Sequence, residues 1–138
     1  MIGFRDFRKE DISGFIQNGY TLGLNMSDLP DLLNHYEIYT LEDNGKAVAI
    51  AAFMQYGERL YNGFLFISRD MTARHGVIIR KFIWDNIKKR DAIRLETTSI
   101  DCPKLNAWHD FLGFTCEGVR RKYYDGKDFR MWSIVDGH

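Results

Sequence analysis

Cys102-Pro103-Lys104-Leu105-Asn106-Ala107-Trp108-His109-Asp110-Phe111-Leu112-Gly113-Phe114 is the stretch on which the reading of this chain turns. Leu105, Trp108 and Leu112 recur at i, i+3 and i+7, which puts one apolar stripe on a short helix. Gly113 supplies the left-handed residue that ends it, and Phe114 opens the next extended run.

Working outward, Ile93 to Ile100 reads as a strand immediately before this helix. Before that strand, Val77, Ile78, Phe82, Ile83 and Ile87 follow helical spacing over 72–90, with Lys88-Lys89-Arg90 in a last turn that favours cations. Downstream, Thr115–Tyr124 and Phe129–Val135 are two closing strands joined through Asp125-Gly126. Upstream lies a meander. Glu37–Glu42 and Lys46–Tyr56 flank Asn44-Gly45, a strong hairpin signal because both residues tolerate positive φ. The nearly unbroken apolar run from Ala47 to Met54 suits a central strand. Gly57 turns the chain into a third strand over 60–67.

The N-terminal part is less regular. Ile2, Phe4 and Phe7 predict a strand ending near Arg8, and Lys9-Glu10-Asp11 opens a short helix through Ile16 with Asp11 as its cap. A second helix is expected over 28–35, with Ser27 as cap and Pro30 in the first turn. The order β-α-α-β-β-β-α-β-α-β-β predicts an α/β fold: one mixed central sheet, an antiparallel meander plus a β-α-β crossover, with helices on both faces. The 138 residues suit a single domain spanning 1–138.

Composition excludes several classes. Nineteen basic residues balance nineteen acidic ones, so no net field draws the chain to nucleic acid or an anionic membrane. No stretch approaches the ~20 apolar residues of a membrane span, and the first residues do not read as a signal peptide. Cys102 and Cys116 lack metal or disulfide spacing, which sets a reducing, cytoplasmic location as the expectation. His35, His75, His109 and His138 also lack metal-ligand spacing, so no metal is expected. No Gly-x-Ser-x-Gly elbow or Walker loop is present. Arg120-Arg121-Lys122 with Tyr123-Tyr124 reads as one solvated and one packed strand face rather than a nucleic-acid platform.

In register, residues 102–114 resemble the N-P-x-A-x-x-L-Y-x-x-L-G-F helix of the GCN5-related N-acetyltransferases, and the element order resembles that family's fold over nearly the whole chain. The resemblance implies transfer of an acetyl group from acetyl-coenzyme A to a small-molecule or protein amine. It also implies that the strands near 60–68 and 93–98 part to admit the pantetheine arm. The helix after them would offer its N-terminus to the pyrophosphate, where free N–H groups and a positive helix end favour phosphate.

The family's loop is Arg/Gln-x-x-Gly-x-Gly/Ala, and this chain has Thr72-Ala73-Arg74-His75-Gly76-Val77-Ile78-Ile79. One register keeps Arg74 as the leading Arg and sets His75, Val77 and Ile79 where glycines are usual; another keeps Gly76 and loses the Arg. Arg74, His75, Gly76 and Val77 are the residues expected to line the cofactor. Cys102, in place of the family's usual Asn, joins them at the start of the next helix, where a thiol can have a lowered pKa.

His109 occupies the position of the family's Tyr and is expected to protonate the departing thiolate. Glu96 and Glu58 are the candidate bases or anionic attractors for the amine. A second expectation is a non-catalytic protein that keeps this fold, virion-associated in a T7-like phage or otherwise in an assembly. It would hold a protein partner or a second copy through exposed Tyr56, Tyr61 or Trp132.

Overall fold

The computed structural model describes residues 1–12, 19–20 and 34–135. Its elements are strands β1 (Ile2–Asp6), β2 (Gly19–Tyr20), β3 (Glu37–Asp43), β4 (Lys46–Gly57) and β5 (Leu60–Ser68), helix α1 (Ala73–Lys89), strand β6 (Arg94–Ile100), helix α2 (Pro103–Leu112), and strands β7 (Thr115–Tyr124) and β8 (Lys127–Val135). The helix expected over 28–35 lies outside the described residues for positions 28–33. The eight strands form one mixed sheet in the order β1-β3-β4-β5-β6-β8-β7, with β2 added to β5. The β5–β6 ladder is parallel, and the other ladders described are antiparallel. The α/β fold expected from the element order is the one observed. The two-residue β2, paired Gly19↔Ser68 and Tyr20↔Ile67, had no period to announce it.

Both hairpin signals form as read. Asn44 and Gly45 have φ of 50° and 84°, and Asp125 and Gly126 have 52° and 69°. Positive φ at both central residues is the twist-matched turn of a two-residue hairpin. The β4–β5 turn differs: Gly57 stays in β4, and Arg59 takes the positive φ of 62°.

The chain divides into two compact units. The first contains Met1–Met54 and Phe64–Ile79. Its core centres on Ile50 and Phe66, with Phe7, Ile12, Ile38, Ala47 and Phe64 packed against them. Asp11 does not act as the helix cap expected of it. It is buried inside the first turn, accepts from Arg8 N–H at 2.9 Å and from Thr40 Oγ1 at 2.8 Å, and takes a two-pronged bond from Arg5 at 2.9 and 2.8 Å. Arg5 also pairs with Glu42. One short network thus pins the chain after β1 to β3.

The second unit contains Gln55–Gly63 and the chain from Arg80 onward. Leu95, Leu112, Phe114, Phe129, Trp132 and Ile134 are buried there. α2 ends in a Schellman motif: Gly113 N–H donates to Asp110 O at 3.1 Å and Phe114 N–H to His109 O at 3.0 Å, with Gly113 at φ 99°. Trp84 Nε1–H donates to Leu112 O at 2.9 Å and covers the same turn. Tyr61 and Trp132 are buried, so neither is the exposed aromatic expected to hold a partner; Tyr56 is exposed. β7 lies at the sheet edge with nearly all its side chains exposed.

Candidate functional site

The turn that opens α1 is built from the first unit alone. Gly76 N–H donates to Thr72 O at 3.1 Å, which makes Thr72 the residue just ahead of the first helical turn. Thr72 N–H donates to His75 Nδ1 at 3.0 Å, and His75 N–H points back at Thr72 Oγ1, 3.5 Å away. This is a capping box in which an imidazole takes the place of the usual carboxylate. A backbone N–H can only donate, so Nδ1 is the acceptor and the ring proton sits on Nε2. From there it is donated to Asp43 Oδ2 at 2.8 Å. Asp43 closes β3, and the neighbouring Lys46 forms an ion pair with Asp70. The helix start is therefore fastened to the β3–β4 hairpin.

This arrangement sorts the residues expected to line a cofactor. His75 is buried with both ring nitrogens engaged, so its side chain holds the turn in shape and offers no donor to a phosphate. Ala73 and Arg74 are exposed, and among the described residues their N–H groups have no partner, as the first turn of a helix dictates. Gly76 is buried. The branched residues at the family's glycine positions part company: Val77 is 60% exposed while Ile79 is fully buried. Only Val77 faces solvent, and it does not lie on the apolar face that its spacing suggested.

α2 belongs to the second unit. Cys102 precedes it in an extended conformation, half-buried, and its thiol makes no capping bond. Asn106 Nδ2 donates to Asp101 Oδ1 at 2.8 Å, and Arg130 Nε donates to the same oxygen at 2.8 Å. Asn106 Oδ1 is buried with no hydrogen-bond partner among the described residues. One turn on, His109 is 4% exposed. Its Nδ1 lies 2.8 Å from Leu105 O, and its ring stacks on Trp132 at 5.1 Å and 12° while meeting Phe114 edge-on at 5.7 Å. Burial pushes the His109 imidazole below the usual histidine range, more than Leu105 O and the Asp110 charge pull it up.

Glu96 lies in a different setting. Arg94 Nε donates to Glu96 Oε2 at 2.7 Å, and the same guanidinium grips Glu117 at 2.9 and 2.5 Å. The Arg94 and Ser133 hydrogen bonds hold the Glu117 carboxyl at about 2. Tyr56 adjoins the pair, and burial followed by the Glu96 charge raises its phenol. On β6 the side chains Leu95, Thr97 and Ser99 are buried and alternate with Arg94, Glu96 and Thr98. Trp132 pairs with Thr97 and donates to Ser99 Oγ at 3.1 Å, so it shares their face. His109, stacked on Trp132, therefore lies on the face opposite Glu96. The β5–β6 ladder joins Leu60–Asn62 to Arg94–Glu96, which puts Glu96 on its last rung. Glu58 is exposed in the β4–β5 turn, ahead of the Leu60–Asn62 stretch whose last residue pairs with Glu96. The structure does not bring the two glutamates together.

Thr72 and Asp43 are contributors that residue types alone did not single out, and Trp132 lies buried beneath His109 rather than at an exposed surface. Thr72-x-x-His75 carried a readable capping signal, whereas the Asp43–His75 and His109–Trp132 pairings join distant parts of the sequence. Among the described residues, no group of three or more His, Cys, Asp or Glu side chains is arranged to hold a metal ion. No described helix is long and apolar enough to cross a membrane.

No protein-family model and no curated protein sequence matches the chain. Solved structures do. The ribosomal-protein-S18-alanine N-acetyltransferase from Escherichia coli superposes with a TM-score of 0.78 at 19% identity, over 100% of this chain and 96% of the other. A spermidine N-acetyltransferase chimera, SpeG from Vibrio cholerae with hSSAT, gives 0.72 at 13% identity over 97% and 95%. The yncA protein from Salmonella typhimurium, solved with its cofactor acetyl-CoA, gives 0.69 at 14% identity over 99% and 95%. At these identities the likeness is one of fold, and it extends over the full described architecture.

Proposed function

We propose that this chain, folded as a GCN5-related N-acetyltransferase, transfers the acetyl group of acetyl-coenzyme A to an amine. The observation that carries this reading is the start of α1. Two N–H groups with no partner among the described residues, at Ala73 and Arg74, belong to a turn that the Thr72–His75–Asp43 chain holds in place. Such a turn suits a diphosphate, which takes backbone N–H bonds and benefits from the positive helix end. Arg74, exposed in that turn, adds a guanidinium suited to phosphate oxygens. Ala73 adds little side-chain bulk to that turn, and Val77 is exposed one turn on.

The reaction is direct. The amine lone pair attacks the thioester carbonyl carbon, a C–N bond forms, and the C–S bond breaks to release coenzyme A. Holding both reactants together removes the entropic cost of their encounter. His109 stands where the resembled family carries its Tyr and is the group assigned to proton movement at the sulfur. Glu96 is assigned to attracting the amine and not to taking its proton. With Arg94 and Glu117 it forms a cluster of one cation and two anions, which favours a cationic amine in solution. The amine is of the small-molecule or protein kind on which the similar proteins act by name, spermidine and the ribosomal-protein-S18 alanine among them.

The test is turnover. Purified protein, acetyl-coenzyme A and a panel of amines, including spermidine and an alanine-terminated peptide, are followed by mass spectrometry and by release of free thiol. An acetylated amine with matching thiol supports the reading. Absence of any acetylated product across the panel, with acetyl-coenzyme A intact, counts against it.

A further inference from the structure

The hydrogen-bond geometry of His109 points to a direction of proton flow, and this deepens the acetyltransferase reading on which it rests. Leu105 O can only accept, so the 2.8 Å contact with Nδ1 requires that Nδ1 carry a proton. In neutral imidazole the other nitrogen then carries a lone pair. Among the described residues, nothing hydrogen-bonds to Nε2, and it is not among the fully buried unpartnered atoms. The ring cannot readily turn to exchange its nitrogens, because it is sandwiched flat against Trp132 and edge-on to Phe114. The side chain thus presents one fixed, basic nitrogen from a largely dry setting.

We infer that His109 begins the reaction as a proton acceptor: its Nε2 takes a proton from the attacking amine and then returns that proton to the departing sulfur. The atoms balance. As the amine nitrogen bonds to the carbonyl carbon it becomes cationic, and one N–H proton moves to Nε2. The C–S bond then breaks, and the imidazolium passes the proton to the thiolate, leaving an amide, a free thiol and neutral His109. A tyrosine at this position starts with a proton to give. The histidine starts with none at Nε2, so its pH dependence has the opposite sign.

Among the described residues, two charged side chains adjoin the ring or its stacking partner. Asp110 is next to it on α2 and exposed, and Arg130 on β8 lies over Trp132 with Cζ 5.8 Å from the ring centroid. The Arg130 guanidinium is itself tied to Asp101. Phe114, edge-on to the ring, and Leu105, whose carbonyl meets Nδ1, carry no titratable side chain.

The test combines one kinetic ratio with one spectroscopic reading. The ratio of wild-type to His109→Gln kcat/KM, taken across pH with the same amine, cancels the titration of the amine. For an acceptor, this ratio climbs with pH through a midpoint under 6.5, then levels at about 100-fold. A ratio that falls with rising pH, or is flat, overturns the role. Nitrogen-15 NMR of the wild-type imidazole is expected to show a protonated Nδ1 and a bare Nε2 at neutral pH. The reverse tautomer overturns the role even where His109→Gln fails to fold. If the wild type acetylates amines while either reading fails, only the His109 role falls. If the wild type acetylates nothing, the acetyltransferase reading falls and takes this role with it.

Discussion

His75 Nε2–H donates to Asp43 Oδ2 across 2.8 Å, so a residue at the end of β3 sets the conformation of a helix that begins 30 positions later. The imidazole's other nitrogen caps Thr72, so the bond orients the whole first turn of α1.

Asp43→Ala therefore leaves a buried imidazole N–H without its acceptor, at a cost of about 1–3 kcal/mol. Asp43→Asn keeps an oxygen there and costs less than Asp43→Ala. Urea titration of the two variants measures both. On the proposed function, Asp43→Ala also weakens acetyl-coenzyme A binding, because the turn that presents Ala73 and Arg74 loses its brace.

Asp11 is buried beneath Arg5 and Thr40. Burial alone would raise its carboxyl, but the Arg5 bond, Arg8 N–H and the Thr40 hydroxyl together hold it below the usual range. A folded-state pKa lowered from 3.8 gives stability that is fully present above the unfolded value and lost as pH falls through the folded one. Asp11→Ala removes that acid-sensitive part and leaves Arg5 paired with Glu42 alone, costing about 1–3 kcal/mol at neutral pH. Denaturation midpoints from pH 2 to 7 are expected to show a shallower acid slope in the variant than in the wild type.

Gly113 has φ 99°, and a Cβ there would lie 2.8 Å from Trp84 Cζ2. Gly113→Ala thus strains the backbone and pushes on the indole that caps Leu112 O. A loss of about 1–3 kcal/mol is expected, with a change in tryptophan fluorescence that reports the displaced Trp84.

Cys102 occupies an N-cap position with extended backbone and no side-chain bond to the turn. Serine fits the same volume and supplies an oxygen for a first-turn N–H. Cys102→Ser is expected to raise stability by about 0.5–1 kcal/mol, read as a higher denaturation midpoint with an unchanged slope.

Much of the fold was legible because its signals are local. Asn44-Gly45, Asp125-Gly126 and Gly113 each demand positive φ, and each has it. Of the α2 stripe, Leu105 and Leu112 are buried as their spacing required, while Trp108 is only half-buried and His109 is the third buried residue. Legibility failed where partners meet through the tertiary fold. Nothing near His75 in the sequence announces Asp43, and nothing near Asp11 announces Arg5 as a bidentate partner rather than a solvated charge. On α1, Ile83 is buried and Ile78, Phe82 and Ile87 are half-buried in keeping with their spacing, but Val77 is exposed, and Ile79 and His75 are buried one and two turns ahead of Ile83. For the site, Arg74, His75 and Glu96 were singled out by residue type. Sequence alone could not tell a phosphate ligand from a capping imidazole. The alternation along β6 did hold the information that Glu96 and Thr97 face opposite ways, and Trp132 then ties His109 to the Thr97 side.

Calorimetric titration with acetyl-coenzyme A, with desulfo-coenzyme A and ATP as controls, tests the central claim most directly. Saturable binding at one site per chain, with a Kd between about 1 μM and 1 mM and weaker in Arg74→Ala, is the result predicted. The absence of any binding heat from acetyl-coenzyme A at about 1 mM, in protein shown to be folded, would contradict it.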